Sequence, residues 1–204
     1  SLEQLLSRFR KNNGEYDVIV PGSGGKDSAY ASHILKYKYN MNPLTVTWSP
    51  HKYTKIGWQN FQNWIHIGGL DNILFTPNGR LHRYLTSEAF KNLLHPFQPF
   101  IIGQRLLGPV MALKYNVKLV MYGENQAEYG NLIKENKNAK MNPEFFSNND
   151  PLKLVLGGKT IRQIISETNY KLSDFNAYIP PSKEIIEKSG IEVHYLGYYL
   201  RWDP

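Results

Sequence analysis

Short β-branched apolar runs alternate along this chain with longer stretches whose apolar residues fall at helical spacing. Leu2, Leu5, Leu6 and Phe9 share one face at a period near 3.6, which predicts a helix over residues 2–11. Tyr16 to Val20 is a compact apolar run between Gly14 and Pro21 and predicts a buried strand. The same reading gives a helix over 28–40 carrying Ala31, Ile34 and Leu35, a strand from Leu44 to Trp48, and a helix from Trp58 to Ile67. A strand over Asn72–Phe75, helices over 80–94 and 98–115, and a strand over Val117–Met121 follow. Gly108-Pro109 is expected to disturb the second of these helices, because proline lacks an N–H and crowds the turn before it. From Asn131 to Pro151 the pattern weakens into Asn and Lys. Helices over Thr160–Thr168 and Ser182–Ser189 then precede a last strand, Glu192–Leu196.

Strands alternating with helices predict an α/β fold: a doubly wound parallel sheet of about five strands with helices on both faces. Ligands of such sheets sit outside the carboxyl ends of the strands. Four loops should gather there: Gly22–Ser28, Ser49–Lys52, Thr76–Arg80 and Gly123–Gln126.

Composition adjusts this picture in three ways. The 204 residues suit one domain with an adequate core, at 41% hydrophobic and 20% charged. The formal charge of +7 favours anionic partners, although a solvated basic face would give the same number. Zero cysteines exclude disulfides, thiolate metal sites and cysteine nucleophiles within this stretch. No apolar run approaches the roughly 18 residues of a membrane span, and no secretory signal is visible, so a cytoplasmic protein without a membrane partner is expected. The chain opens on Ser1 and stops at Trp202-Asp203-Pro204, which suggests a fragment of a longer protein.

The richest chemistry lies between the first strand and the helix after it: Pro21-Gly22-Ser23-Gly24-Gly25-Lys26-Asp27-Ser28. A Walker loop fails here, because its first glycine position is Val20 and Asp27 follows the lysine. A dinucleotide fingerprint from Gly22 and Gly24 fails because its third glycine position is Asp27. What remains is an anion cradle. Gly22, Gly24 and Gly25 allow a tight turn and close approach, and successive N–H groups with a helix N-terminus supply positive field. Ser23 and Ser28 add hydroxyls, Lys26 adds a cation, and Asp27 makes sense if it helps to hold magnesium beside phosphates. The bland alternative is a turn with Ser23 or Asp27 as helix cap.

Other candidates are weaker. Glu124 can be a second magnesium ligand or a substrate contact, and Gly123 permits close approach; alternatively Asn125 with Glu128 forms a helix capping box. Arg105 can hold a leaving pyrophosphate bidentately or be a surface cation. His51, Lys52 and Asn125 are candidate substrate contacts; Arg80, His82 and His95 lie in or beside the loops, where histidines are more often structural. Gly157-Gly158-Lys159-Thr160 imitates a Walker loop, but Lys153 stands where glycine is needed, and a turn feeding a helix capped by Thr160 explains it.

Ser23–Ser28 matches the SGGxDS signature of the PP-loop ATP pyrophosphatases at all six positions. That resemblance implies an adenine nucleotide α-hydrolase-like fold and cleavage of ATP, with Mg2+, between the α and β phosphates. It places nucleotide contacts on Pro21–Ser28, on Thr47-Trp48-Ser49 as the edge that reads adenine, and on Tyr122-Gly123-Glu124, with Lys26, Asp27 and Arg105 in catalysis. Trp48 is equally readable as a core aromatic. Tyr16–Ser28, Asn42–Trp48, Phe75–Gly79, His95–Phe100 and Tyr122–Asn125 further resemble the N-acetyl sugar amidotransferases over roughly residues 14 to 200, nearest to the branch forming acetamidino pseudaminic acid for flagellin glycosylation. The implied reaction adenylates the acetamido oxygen of a nucleotide-activated N-acetyl sugar and replaces it with ammonia. A separate glutaminase partner would supply the ammonia, and homo-oligomers are compatible with this reading. The same resemblance leads one to expect sequence beyond both ends, including a cysteine-bearing N-terminal part. A tRNA-modifying PP-loop enzyme suits the charge, but zero cysteines and the lack of an RNA-binding appendage argue against nucleic acid. A nucleotide sensor without turnover is a third reading.

Overall fold

In the computed structural model, described for residues 1–124 and 138–201, five parallel strands form one sheet in the order β3-β2-β1-β4-β7. The elements are α1 (Leu2–Ser7), β1 (Val18–Pro21), α2 (Lys26–His33), β2 (Pro43–Trp48), α3 (Lys55–His66), β3 (Asp71–Phe75), α4 (Gly79–Leu93), α5 (Gln98–Lys114), β4 (Leu119–Tyr122), β5 (Val155–Leu156), β6 (Lys159–Thr160), α6 (Ile161–Glu167), α7 (Lys183–Ser189) and β7 (Glu192–Tyr195). The expected parallel α/β sheet of five strands is therefore present.

Strand alternation divides the interior into two cores. Ile19, Leu44, Val46, Trp48, Val120 and Tyr122 pack with α4 and α5 on one face. Val18, Val20, Leu119 and Met121 pack with α1 and α2 on the other. Burial on both faces is why the strands are short continuous apolar runs rather than alternating ones. Asp17, buried at the amino end of β1, pins this arrangement: its carboxylate accepts from Lys11 N (2.7 Å) and Asn42 N (3.0 Å), and its own N–H donates to the Asn42 carbonyl at 2.9 Å.

Boundaries moved where local chemistry outweighed periodicity. α1 ends at Ser7 rather than residue 11. α2 begins at Lys26, inside the glycine-rich loop, and passes directly into a π-helical stretch, Ile34–Lys38. α3 starts three residues early because the Thr54 side chain accepts from Gly57 N at 2.9 Å. β4 is shifted to end on Tyr122. A 3-10 segment, Leu172–Tyr178, was not expected; Phe175 and Tyr178 bury themselves in the α4–α5 core. The Walker imitation is a hairpin turn: Gly157 and Gly158 both take positive φ between β5 and β6, and Thr160 caps α6.

The expected helix over 98–115 is present as α5, which runs from Gln98 to Lys114 with Pro109 inside it. Proline at 109 cannot donate to the Arg105 carbonyl one turn back. The Tyr122 hydroxyl takes that place, donating to Arg105 O at 3.0 Å and Gln104 O at 3.3 Å. Two glycines let α5 lie close on the sheet. A Cβ on Gly103 would come 2.4 Å from the Trp48 ring, and one on Gly108 2.8 Å from Pro21 Cγ and 3.0 Å from Val120 Cγ1. The helix that contains a breaker is thus held by the sheet beneath it. Tyr122→Phe leaves a buried carbonyl unsatisfied and should destabilise the protein by about 1–3 kcal/mol, read as a lower chemical-denaturation midpoint with an unchanged slope; an unchanged midpoint would show that the hydroxyl carries no such load.

Candidate functional site

The strand order reverses between β1 and β4, so the loops leaving their carboxyl ends run to opposite sides and open a crevice. The β1 loop and the first turn of α2 form one wall. Gly25 is the N-cap of α2 with extended backbone and no side-chain cap, so neither Ser23 nor Asp27 caps the helix. Ser23, Gly25 and Lys26 are exposed, whereas Ser28 is buried and donates from Oγ to the Gly25 carbonyl at 3.2 Å. The first-turn N–H groups and the dipole of α2 therefore face solvent at the strand ends, as an anion site requires.

The glycines have separate duties. A Cβ on Gly22 would lie 2.1 Å from Ser28 Cβ, so the loop folds directly onto the helix it feeds. Gly24 has φ +82° and its missing Cβ would meet the α3 backbone, 2.7 Å from Phe61 Cα. Gly123 lies against the first turn of α2: a Cβ there would be 2.3 Å from the Asp27 carbonyl oxygen. The close approach that Gly123 permits is thus first of all to this chain's own backbone. Gly25 alone of these four has nothing within 4 Å of a Cβ and an ordinary φ of −70°. The fold does not need glycine there.

The charged candidates for catalysis and metal binding fall in one neighbourhood. Lys26 Nζ sits 3.1 Å from Asp27 Oδ1, with Lys26 the more exposed partner. Glu124 follows Gly123, and so the β4 loop brings it beside the turn that carries Asp27; it lines a small cavity of about 20 Å³ with Pro21, Gly22, Val46, Trp48, Gln104, Leu107 and Tyr122. This cavity is the floor of the crevice. The Glu124 carboxylate, with that of Asp27 on the adjoining turn, supplies hard oxygen donors of the kind magnesium takes together with phosphate oxygens; among the described residues no group of three or more His, Cys, Asp or Glu is assembled. Arg105 lines a neighbouring cavity that shares Gln104 and Tyr122 with the one beside Glu124. Its guanidinium lies 5.4 Å over the Phe145 ring, in a second small cavity with Ile101, Met141 and Tyr195. Asn125 and the proposed Asn125–Glu128 box lie outside the described residues.

The β2 edge divides. β1 pairs with β2 only as far as Pro21↔Val46, so Thr47 and Trp48 project past the end of β1 and pair with β3 alone. Backbone there borders the crevice, but the side chains are structural. Thr47 Oγ1 accepts from Asn72 Nδ2 at 3.0 Å, and Ser49 N donates to the Phe75 carbonyl at 2.8 Å. Trp48 is core, packed on Gly103, Phe75 and Tyr178; its ring is not available to stack on a base.

His51 lies across the ring of His82, centroids 4.4 Å apart, while Lys52 is exposed. His82 is buried, hydrogen-bonds through Nδ1 to the Tyr178 hydroxyl, and is held down to a pKa of about 4, first by desolvation and then by His51. Arg80 and His95 are exposed. Sequence reasoning missed Asn72, which ties Thr45 to Thr47, and Gln104, which lines the floor. Neither belongs to a spaced motif; only the sheet register and the seating of α5 place them. Gly22→Ala and Gly123→Ala should overpack the turn and lower stability by about 1–3 kcal/mol, whereas Gly25→Ala should stay within about 0.5 kcal/mol of the parent. Thermal melts of the three variants check this ordering.

No family model matches the chain. A Methanocaldococcus jannaschii protein described only as uncharacterized is 44% identical over 45 residues, 22% of this chain and 16% of that protein's length. Among solved structures, the NH3-dependent NAD synthetase of Campylobacter jejuni, in complex with nitrate, aligns at TM-score 0.47 and 17% identity over 63% of this chain and 56% of its own. The NMN synthetase of Francisella tularensis aligns at TM-score 0.47 and 15% identity over 93% of this chain and 90% of its own. At that level neither likeness bears on which reaction this chain performs.

Proposed function

We propose that the chain binds ATP and cleaves it to AMP and pyrophosphate, transferring the adenylyl group to an acceptor oxygen. The observation that carries this reading is the turn from β1 into α2. It offers an exposed, glycine-lined helix N-terminus with Lys26 and Asp27 in the first turn, at the point where the strand order reverses. The β- and γ-phosphates would lie on the N–H groups of residues 23–26, and Lys26 would neutralise them. The adenine would meet the backbone of β2 beyond Val46. Mg2+, held by Asp27 and Glu124, would neutralise charge on the phosphates. Positioning and electrostatics dominate such a reaction, so the site needs no protein nucleophile.

As acceptor we propose the acetamido oxygen of a nucleotide-activated N-acetyl sugar. The oxygen attacks the α-phosphorus, the bond to pyrophosphate breaks, and an O-adenylyl imidate forms. Ammonia adds to the imidate carbon, the carbon–oxygen bond breaks with release of AMP, and an acetamidine remains. Ammonia from a separate glutaminase suits a chain without cysteine. The extended motif similarity around Asn42–Trp48 and Phe75–Gly79 supports this acceptor over tRNA.

Incubation with ATP, Mg2+, ammonia and a CMP-activated N-acetyl sugar should release AMP and pyrophosphate in equal amounts; stimulation by bulk tRNA alone would replace the sugar by a nucleic-acid acceptor. Asp27→Ala should lower turnover by about 10²-fold or more while the fold is retained, and an unchanged rate would remove the carboxylate from the mechanism. Gly25→Ala should weaken ATP binding in a titration without moving the melting temperature, because its Cβ would occupy only the space left for the ligand.

A further inference from the structure

Beside the crevice, between the loops after β2 and β3, lies a cavity of about 270 Å³ lined by Ser49, Pro50, His51, Thr76, Pro77, Gly79, His82 and Arg83. Its volume suits a single ring or charged group rather than a nucleotide. The lining holds no carboxylate. Among the described residues no carboxylate pairs with Arg83, which is exposed in the first turns of α4. Hydroxyls of Ser49 and Thr76, two imidazoles and one guanidinium make the wall a set of donors.

His82 is the residue that demands an explanation. It is 5% exposed, and its Nε2 has no hydrogen-bond partner among the described residues. A buried polar atom left unpaired is destabilising unless something else satisfies it. Its tautomer follows from its other nitrogen. Desolvation keeps the buried Tyr178 phenol in its neutral O–H form, and among the described residues His82 Nδ1 is the one partner of that hydroxyl. With Nδ1 accepting from that O–H, the hydrogen of the neutral imidazole resides on Nε2. The exposed His51 ring stacks on His82, and both rings line the cavity.

We infer that this cavity binds the anionic oxygens of a ligand, a carboxylate or a phosphate, through the His82 Nε2–H group and the Arg83 guanidinium. It lies one loop away from the β1–α2 turn on the same sheet edge, so it is the place for the charged end of the acceptor; that assignment rests on the reaction proposed above, whereas the anion site does not. Arg is well suited to bidentate recognition of either group.

Imidazole 15N spectroscopy on the intact chain tests both parts. His82 should show the Nε2–H tautomer in the absence of ligand; an Nδ1–H tautomer overturns the donor assignment. Titration with inorganic phosphate or with acetate should shift the His82 resonances saturably, and the stronger of the two identifies the source. Arg83→Gln, a surface change, should weaken that binding by about tenfold, the loss of one charge-assisted contact. The same variant should bind a non-hydrolysable ATP analogue as the parent does. Linear, unsaturated shifts for both anions, or equal affinity in Arg83→Gln, overturn the inference. Saturable binding at His82 in a protein that fails to bind the ATP analogue leaves this site standing and removes the adenylylation reading instead.

Discussion

The contact on which the rest depends is the one between Gly123 and the first turn of α2. Two loops from neighbouring strands, more than ninety residues apart in sequence, meet with no room for a single methyl group: a Cβ on Gly123 would be 2.6 Å from the Asp27 carbonyl carbon and 3.1 Å from Ser28 N. This contact sets the width of the crevice at the reversal of strand order. It also decides that Glu124 lies beside Asp27 rather than out in solvent.

The close contact is possible because the sheet beneath is rigid. The Asp17 carboxylate ties the amino ends of β1 and β2, and parallel pairing of β1 with β4 aligns Val18 with Leu119 and Ile19 with Val120. Helix α5 then lies on the sheet through Gly103 and Gly108, and Tyr122 repairs the hydrogen bond that Pro109 forfeits. The repair matters for the site, because Tyr122 is the last residue of β4 and Gly123 follows it. One side chain therefore stabilises a helix with an internal proline and fixes where the β4 loop departs. Burial drives the Tyr122 phenol well above its ordinary pKa, so the hydroxyl keeps its proton and stays a donor.

The two cavities beside the strand ends divide the edge by chemistry. The floor near β1 and β4 carries the Glu124 carboxylate, which suits a cation. The cavity between the β2 and β3 loops carries hydroxyls, imidazoles and a guanidinium but no carboxylate. Trp48, between them, is packed so tightly against α5 that it acts as a partition rather than a base-stacking ring.

The sequence by itself determined the alternating elements, the five parallel strands, the loop at Ser23–Ser28 and the capped turn at Gly157–Thr160. Each of these is local: a period, a turn residue or a cap that acts within a few positions, and so is written in adjacent residues. Tertiary structure decided what depends on distant partners. A local rule disfavours Pro109 inside α5, but the helix runs through it, with the Tyr122 hydroxyl on the Arg105 carbonyl. Trp48 has the right residue type for a nucleotide site, yet packing commits its ring to the core, while Arg105 lies over the Phe145 ring beside the cavity that Glu124 lines. His82 looked like one of several loop histidines until the fold buried it and set its Nδ1 against the hydroxyl of Tyr178, a residue 96 positions away. Composition and spacing record which groups are present; only the seating of helices on the sheet determines which of them face the same space.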